Sequence, residues 1–454
     1  MLYFKHTEES GMHQKVGAPT LAAACGIALF MLPFAANAQV IQNYFPALGS
    51  GAGELSTEPT QVRAAGAYQP QGFQSGPVIV NLDGSEGGGY DSNVDMLPAA
   101  HSSAVINTQG HLSVVSRFPH NDQAHGDISV SDTRYPSRSV QNRTTWTANV
   151  GGTHYFGRDE LGFSYTHLSL VQMPSEAGAL ILSSPVPYTV EDGRISYLVH
   201  THGRASFQPF VEAQRYAFGR PAMVNNAGAY TNQTYRNRVV INEGVTSRYE
   251  LMAETHLLVV AQGTEIRYDT PASGYPSRNS NGFSILGGYD AGWKGPIKFR
   301  ALLGYQMRRY ASTLYGKITS PVAEAQLSWS PTRLTSAVLS VRHGIEDSAF
   351  EGVVGFTNTA ATLVVTHALQ RNVLLTFNAQ VSKASYPATP AALKGTPVYQ
   401  VASDQNTYGF GLSGQIFLNR HLSVTANYSY LSQSVYQSAM FPVHMAQLSV
   451  HFAL

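Results

Sequence analysis

The residues best equipped to bind something in this 454-residue chain are its arginines, which outnumber the lysines by 22 to 7. A guanidinium fork holds carboxylate or phosphate oxygens in fixed geometry, so a wall carrying several of them would guide anionic solutes. Other reactive side chains are dispersed. The 16 histidines stand singly, and even His120, His125, His200 and His202, the nearest approach to a cluster, read as ordinary wall or turn residues rather than a metal site. No Gly-x-Ser-x-Gly elbow, His-Glu-x-x-His or Cys-x-x-Cys is present, so the chain is not expected to be an enzyme or to hold a cofactor. The Gly49-Ser50-Gly51-Ala52-Gly53 cluster lacks the preceding strand and the following Lys-Ser/Thr of a phosphate loop.

What positions the arginines follows from composition. Charged residues make up 13% of the chain, where a soluble domain carries about 25%. Their places are taken by Gly (41), Tyr (25), Ser, Thr, Asn and Gln. Lys+Arg 29 against Asp+Glu 28 leaves no basic surplus for a nucleic-acid partner.

The N-terminus reads as an export leader over 1–38. Lys15 is its positive region, Leu21 to Ala36 its apolar stretch, and Ala36-Asn37-Ala38 the small-residue cleavage site. The apolar run is short of the ~20 residues of a spanning helix and contains Pro33. Cleavage near Ala38 removes Cys25 and leaves a mature chain without cysteine. Residues 39–76, rich in Gly, Pro, Gln and Ala, read as a flexible periplasmic arm, too short for the plug of a siderophore-type receptor.

From Pro77 to Leu454 apolar and small polar residues alternate with period two, in segments of about ten residues. Leu422, Val424, Ala426, Tyr428 and Tyr430 alternate with Ser423, Thr425, Asn427 and Ser429; Ile297, Phe299, Ala301, Leu303, Tyr305 and Met307 oppose Lys298, Arg300, Gln306 and Arg308. Eighteen such segments can be counted, with tiny connections such as Gly157-Arg158 and Lys294-Gly295 alternating with long ones such as 171–187, 217–233, 269–279 and 387–403. That layout predicts an all-β, antiparallel, up-and-down transmembrane barrel of about 18 strands in a bacterial outer membrane, spanning 77–454. A soluble sandwich would leave edges exposed and carry Lys and Glu on its wet face. Aromatics near strand ends (Tyr155/Phe156, Tyr216, Tyr268, Trp293, Tyr310, Trp329, Phe417, Tyr428/Tyr430) are expected to form interfacial girdles.

A barrel of this size encloses water rather than a filled core. Alternation turns Arg194, Glu212, Arg236, Arg238, Lys298, Arg300, Arg308, Glu324 and Arg342 toward that lumen, among hydroxyls and amides that offer weak, exchangeable hydrogen bonds. The Arg308-Arg309 and Arg236/Arg238 sets are the foremost candidates for anion contact; Arg–Glu pairs that only brace the wall are the alternative for any one of them. The last strand places Val450, Phe452 and Leu454 on one face at the C-terminus, resembling the signal read by the barrel assembly machinery, with the usual terminal Phe displaced to Phe452.

The segment from Gly76-Pro77-Val78-Ile79-Val80 through Gly87-Gly88-Gly89-Tyr90-Asp91-Ser92-Asn93-Val94 resembles the opening strand of a family of outer-membrane β-barrel porins often encoded among exopolysaccharide synthesis genes. The resemblance implies export of a polysaccharide, with periplasmic export components as partners, and no catalytic residue. Passive diffusion of small hydrophilic solutes is the alternative.

Overall fold

The computed structural model describes residues 68–454 except 98, 119–121, 180–183, 220–232, 270–275, 293–295, 351, 395–402 and 436–437. The leader, Cys25, most of the arm with its Gly49–Gly53 cluster, His120, Trp293 and the Lys294-Gly295 turn lie outside the described residues.

The chain forms β1 (Phe73–Ser75), β2 (Val78–Asp91), β3 (Ser103–Arg117), β4 (Gln123–Arg134), β5 (Arg143–Phe156), β6 (Asp159–Gln172), β7 (Val186–His200), β8 (Ala205–Phe218), β9 (Arg238–Met252) and β10 (Thr255–Tyr268). It continues through β11 (Ser280–Ala291), β12 (Ile297–Tyr310), β13 (Lys317–Thr332), β14 (Thr335–Asp347), β15 (Gly355–Gln370), β16 (Val373–Ser385), β17 (Gln405–Phe417), β18 (Leu422–Val435) and β19 (Ser438–Ala453). Each strand from β2 onward pairs antiparallel with the next, and β19 returns to β2, from Met445 opposite Asp91 to Ala453 opposite Asp83. The result is a closed barrel of eighteen strands, β2 to β19, with no free edge. No helix of the described residues is long and apolar enough to cross a membrane.

Local chemistry explains the hairpins. Gly157, at the first of the two residues joining β5 and β6, has φ +69°, which glycine adopts without steric cost. Except for the two residues between β18 and β19, the short connections lie on the rim that carries the C-terminus, where the Leu454 amide donates to the Leu82 carbonyl. By the layout of such barrels this is the periplasmic rim, and the long-loop rim is extracellular. The described end of the arm is held there: β1 folds back on β2 after Gly76, and Tyr68 stacks on Phe417 at 6.2 Å.

Period two sets the two faces. Ile195, Leu303, Leu412 and Leu448 are among the large apolar side chains left exposed outward, while Thr147, Thr166, Gln214, Asn242 and Thr425 are buried inward. The outward face is not purely apolar. Arg134–Asp132 (2.5 Å), Arg267–Glu265 (2.7 Å) and His167–Glu191 (2.7 Å) sit at outward positions in the upper parts of their strands, each charge beside its partner. Nor is the inner face purely polar. Leu258, Val260, Leu286, Leu302 and Val322 form one buried inward cluster across β10 to β13, and Leu168, Leu170, Val186, Tyr188, Val190 and Phe218 another on β6 to β8.

The girdle also needs correction. Phe156, Trp329 and Tyr428 are exposed outward as expected. Tyr216, Tyr268 and Tyr310 instead occupy inward positions, the first two beneath Arg238 and Arg278 and the third edge-on to Tyr315. Their strand positions are even-numbered on strands whose even residues face the lumen, so proximity to a strand end was a weaker guide than parity.

Candidate functional site

Extracellular loops fold into the barrel mouth. After β6 the chain turns at Met173 and Glu176 and reaches Gly178, whose carbonyl accepts from the Ala349 amide (3.1 Å) and whose amide donates to Gln405 Oε1 (3.3 Å). Ala349 follows β14 and Gln405 opens β17. In an eighteen-strand ring, β6 and β15 are nine strands apart, on opposite walls. Six residues past the end of β6 reach at most about 20 Å. Eighteen strands at ~4.8 Å spacing and ~40° tilt enclose a diameter of roughly 35 Å, so Ser348 to Phe350, after β14, must lean in as well. The Tyr235 hydroxyl donates to the Ala349 carbonyl, and Arg278 Nη2 donates to the Ser348 carbonyl (2.5 Å), fixing that segment from a third side. Gly178 has φ +77°, and a Cβ there would lie 2.5 Å from the Phe356 ring.

Beside this bridge four arginines gather, two of them on one carboxylate. Arg308 Nη1 donates to Asp347 Oδ1 at 2.6 Å. Arg238 Nε lies 3.4 Å from Asp347 Oδ2 without hydrogen-bond geometry, its Nη1 donates to the Arg236 carbonyl (3.2 Å), and its guanidinium covers the Tyr216 ring at 4.2 Å. Arg236 donates to Gln172 (2.8 Å) and lies 3.9 Å over Phe218. Burial, with Arg238 and Arg278 close by, pulls the Arg236 guanidinium down to about 10. Arg278 covers Tyr268 at 4.9 Å and is only 7% exposed. All of these residues stand within three positions of a strand's extracellular end.

The nine expected lumen residues thus separate. Arg236, Arg238 and Arg308 come together, joined by Arg278 and Asp347, which sequence reasoning missed. Arg236 is not on a strand: Thr234–Arg236 form a short 3-10 turn, because Asn237 turns its side-chain oxygen onto the Phe218 amide (2.7 Å) and delays β9. Arg309 is exposed on the outward side and leaves the set. Arg300 is a bracing residue, its Nη2 donating to Asp290 Oδ2 at 2.7 Å. Arg194 faces the lumen opposite Glu212, over the Phe210 ring at 5.0 Å, and Glu212 accepts from Asn242 (3.1 Å). Glu324 and Arg342 are register partners further along the wall, and Lys298 lies nearer the periplasmic end of β12. Val450, Phe452 and Leu454 are exposed on the outward face of β19 and its end. Among the described residues no group of three metal-ligating side chains occurs, and His125, His200 and His202 do not assemble into one.

A different network surrounds the Gly-Tyr-Asp-Ser-Asn-Val stretch. Asp95, in the loop after β2, accepts from Arg138 (2.7 Å), Gln141 (2.8 Å) and pairs with His101 (2.9 Å). Asp91 accepts from the Asn93 amide (2.9 Å), and Tyr135, hydrogen-bonded by Arg143, reaches its other oxygen at 3.5 Å. Ser92 ties this knot to His444 across the β19–β2 seam.

The family described as "Putative beta-barrel porin 2" matches residues 66–454. The chain belongs to that family. Its barrel is therefore an outer-membrane, porin-like channel, of a family and fold that are not enzymatic. Among curated proteins, none matches this porin-family sequence. Solved structures that resemble it include OccAB2 of Acinetobacter baumannii (TM-score 0.42, 9% identity, 83% of this chain and 98% of that one). The outer membrane protein opdK of Pseudomonas aeruginosa gives a TM-score of 0.42 at 11% identity, over 83% of this chain and 98% of that one. Pseudomonas aeruginosa OccK2 (OpdF) in complex with glucuronate gives 0.41 at 11% identity, over 85% and 98%.

Proposed function

We propose that this barrel lets small hydrophilic solutes diffuse across the outer membrane. The observation that carries the reading is the bridge from Gly178 to Ala349 and Gln405, which joins opposite walls by hydrogen bonds inside the mouth. Chain drawn across a bore divides it, and a divided bore suits molecules of a few sugar units or less. The amide and hydroxyl ladders of the wall, such as Gln262–Asn242 (3.0 Å) and Asn149–Thr166 (2.6 Å), suit neutral and charged hydrophiles alike. Export of a polysaccharide, which the resemblance implied, ranks second, because a sliding polymer needs an uninterrupted path. Cleavage near Ala38 and recognition of the Val450-Phe452-Leu454 face by the assembly machinery belong to the same proposal.

Swelling of liposomes that contain the purified barrel tests it. Swelling that falls steeply between mono- and tetrasaccharides supports diffusion of small solutes. Absence of swelling, together with loss of extracellular polymer on deletion of the gene, would return the export reading to first place.

A further inference from the structure

We infer that the cluster of Arg236, Arg238, Arg278 and Arg308 is a binding site for a small oxyanion, a carboxylate or phosphate group, with Arg278 as its principal contact. This deepens the reading above and rests on it for the statement that the anion is in transit. Of the four guanidinium groups, Arg238 and Arg308 divide one carboxylate, Asp347, and Arg236 and Arg278 have no carboxylate partner among the described residues, which leaves positive charge in excess in a buried setting. Buried like charges are costly unless something pairs with them. Arg278 sharpens this: its Nη2 is spent on the Ser348 carbonyl, but Nε and Nη1 are buried and have no hydrogen-bond partner among the described residues. Native proteins rarely leave such donors idle.

The surroundings favour an anion over simple bracing. Tyr216, Tyr268 and Phe218 hold the guanidinium planes by their faces, which fixes orientation without consuming N–H donors. Asp347 neutralises Arg308 and part of Arg238, and Arg236 spends its Nη1 on Gln172 and Gln233, whereas Arg278 keeps two buried donors unused. Its carbonyl partner, Ser348, neighbours Ala349, the residue that closes the bridge. An oxyanion here would sit beside the bridge, and the arginine donors would replace its hydration as it passes.

The test is calorimetric titration of sodium acetate and of inorganic phosphate into the detergent-solubilised full barrel at fixed chloride, with glucose as neutral control. One anion should bind per barrel, and Arg278→Gln should weaken it by about tenfold or more, the loss expected for hydrogen bonds to a charged group. Arg278→Lys, which keeps charge but loses the fork, should fall between. Arg309→Gln removes the same charge from the outward face and should leave binding unchanged. Tighter acetate points to organic acids and tighter phosphate to phosphate or its esters. No anion uptake by the native barrel, or equal losses in Arg278→Gln and Arg309→Gln, overturns the site whether or not liposomes swell. Should Arg278→Gln fail to show heat-modifiable migration, Arg278→Lys decides, and unchanged affinity in it overturns the proposal. Swelling measured on the same preparations reads the channel itself separately.

Discussion

Two ionic networks occupy the barrel mouth and differ in one respect, the balance of their charges. Around the β2–β3 loop, Asp91 and Asp95 meet Arg138 and Arg143, and the donors of the loop are spent within it. Around the β14 end, four guanidinium groups gather and Asp347, which pairs with Arg308 and Arg238, is the one carboxylate in ion-pair contact with them among the described residues. The first arrangement is what a loop needs to be tied down across a barrel seam. The second stores attraction for something that the protein does not supply. Matched burial marks structure and unmatched burial marks a place for a ligand, which is the general form of the lesson.

The comparison can be broken most forcefully at Asp347. Asp347→Asn removes the one counter-ion of Arg308 and Arg238, and breaking a buried pair this way costs about 3–5 kcal/mol. The urea midpoint of the detergent-solubilised variant should fall, and added sulfate should restore much of it; a loss that sulfate does not touch would show the charges to be ordinary wall bracing. Arg138→Leu strikes the balanced network. Asp95 keeps Gln141 and His101, and Arg138 is 36% exposed, so the expected cost is smaller, roughly 2 kcal/mol, with no anion rescue and with faster hydrogen exchange over 92–102.

Gly178→Val comes next in size. A left-handed φ costs a branched residue about 1–2 kcal/mol, and the new side chain would also collide with Phe356. Displacement of the bridge should raise single-channel conductance and admit larger sugars to liposomes. A conductance equal to the native value would mean that the bridge does not limit passage.

The gentlest probe is pH. Burial would raise the Asp95 carboxyl, but hydrogen bonds from Arg138 and Gln141, the Arg138 charge and His101 outweigh it and hold the group below its usual range. A depressed carboxylate contributes stability in full above its unfolded pKa of about 4 and loses it as pH falls through the lower folded value. Exchange protection of 92–102 should therefore be flat from neutral pH to about 4 and decline only below it. A decline beginning well above pH 4 would show that Asp95 does not govern the stability of this loop.

Much of the fold was legible because its signal is local. Leu422 to Tyr430 and Ile297 to Met307 announce their faces by alternation, and Gly157-Arg158 marks a hairpin without reference to anything distant. Parity alone turns Arg238 and Arg308 to the inner face. It does not apply to Arg236, because the turn at Thr234–Arg236 depends on Asn237 reaching Phe218 on another strand. Tyr216, Tyr268 and Tyr310 were assigned to the lipid interface, although parity put them inside with the arginines. Had rank from the extracellular end been compared across strands, Arg238, Tyr268, Arg308, Tyr310 and Asp347 would have appeared at one level, and that level is the site.

By itself the sequence determined a barrel of about eighteen strands and the face each strand residue takes, because a period of two is a property of neighbours along the chain. Only the tertiary structure decided which inward residues meet. Arg278 lies in a loop with no period, and Asp347 ends a strand several places around the ring from Arg238. The bridge at Gly178 joins walls half a circumference apart. Such meetings depend on how closure of the ring and inward folding of loops bring distant segments to one level, and no local pattern encodes that.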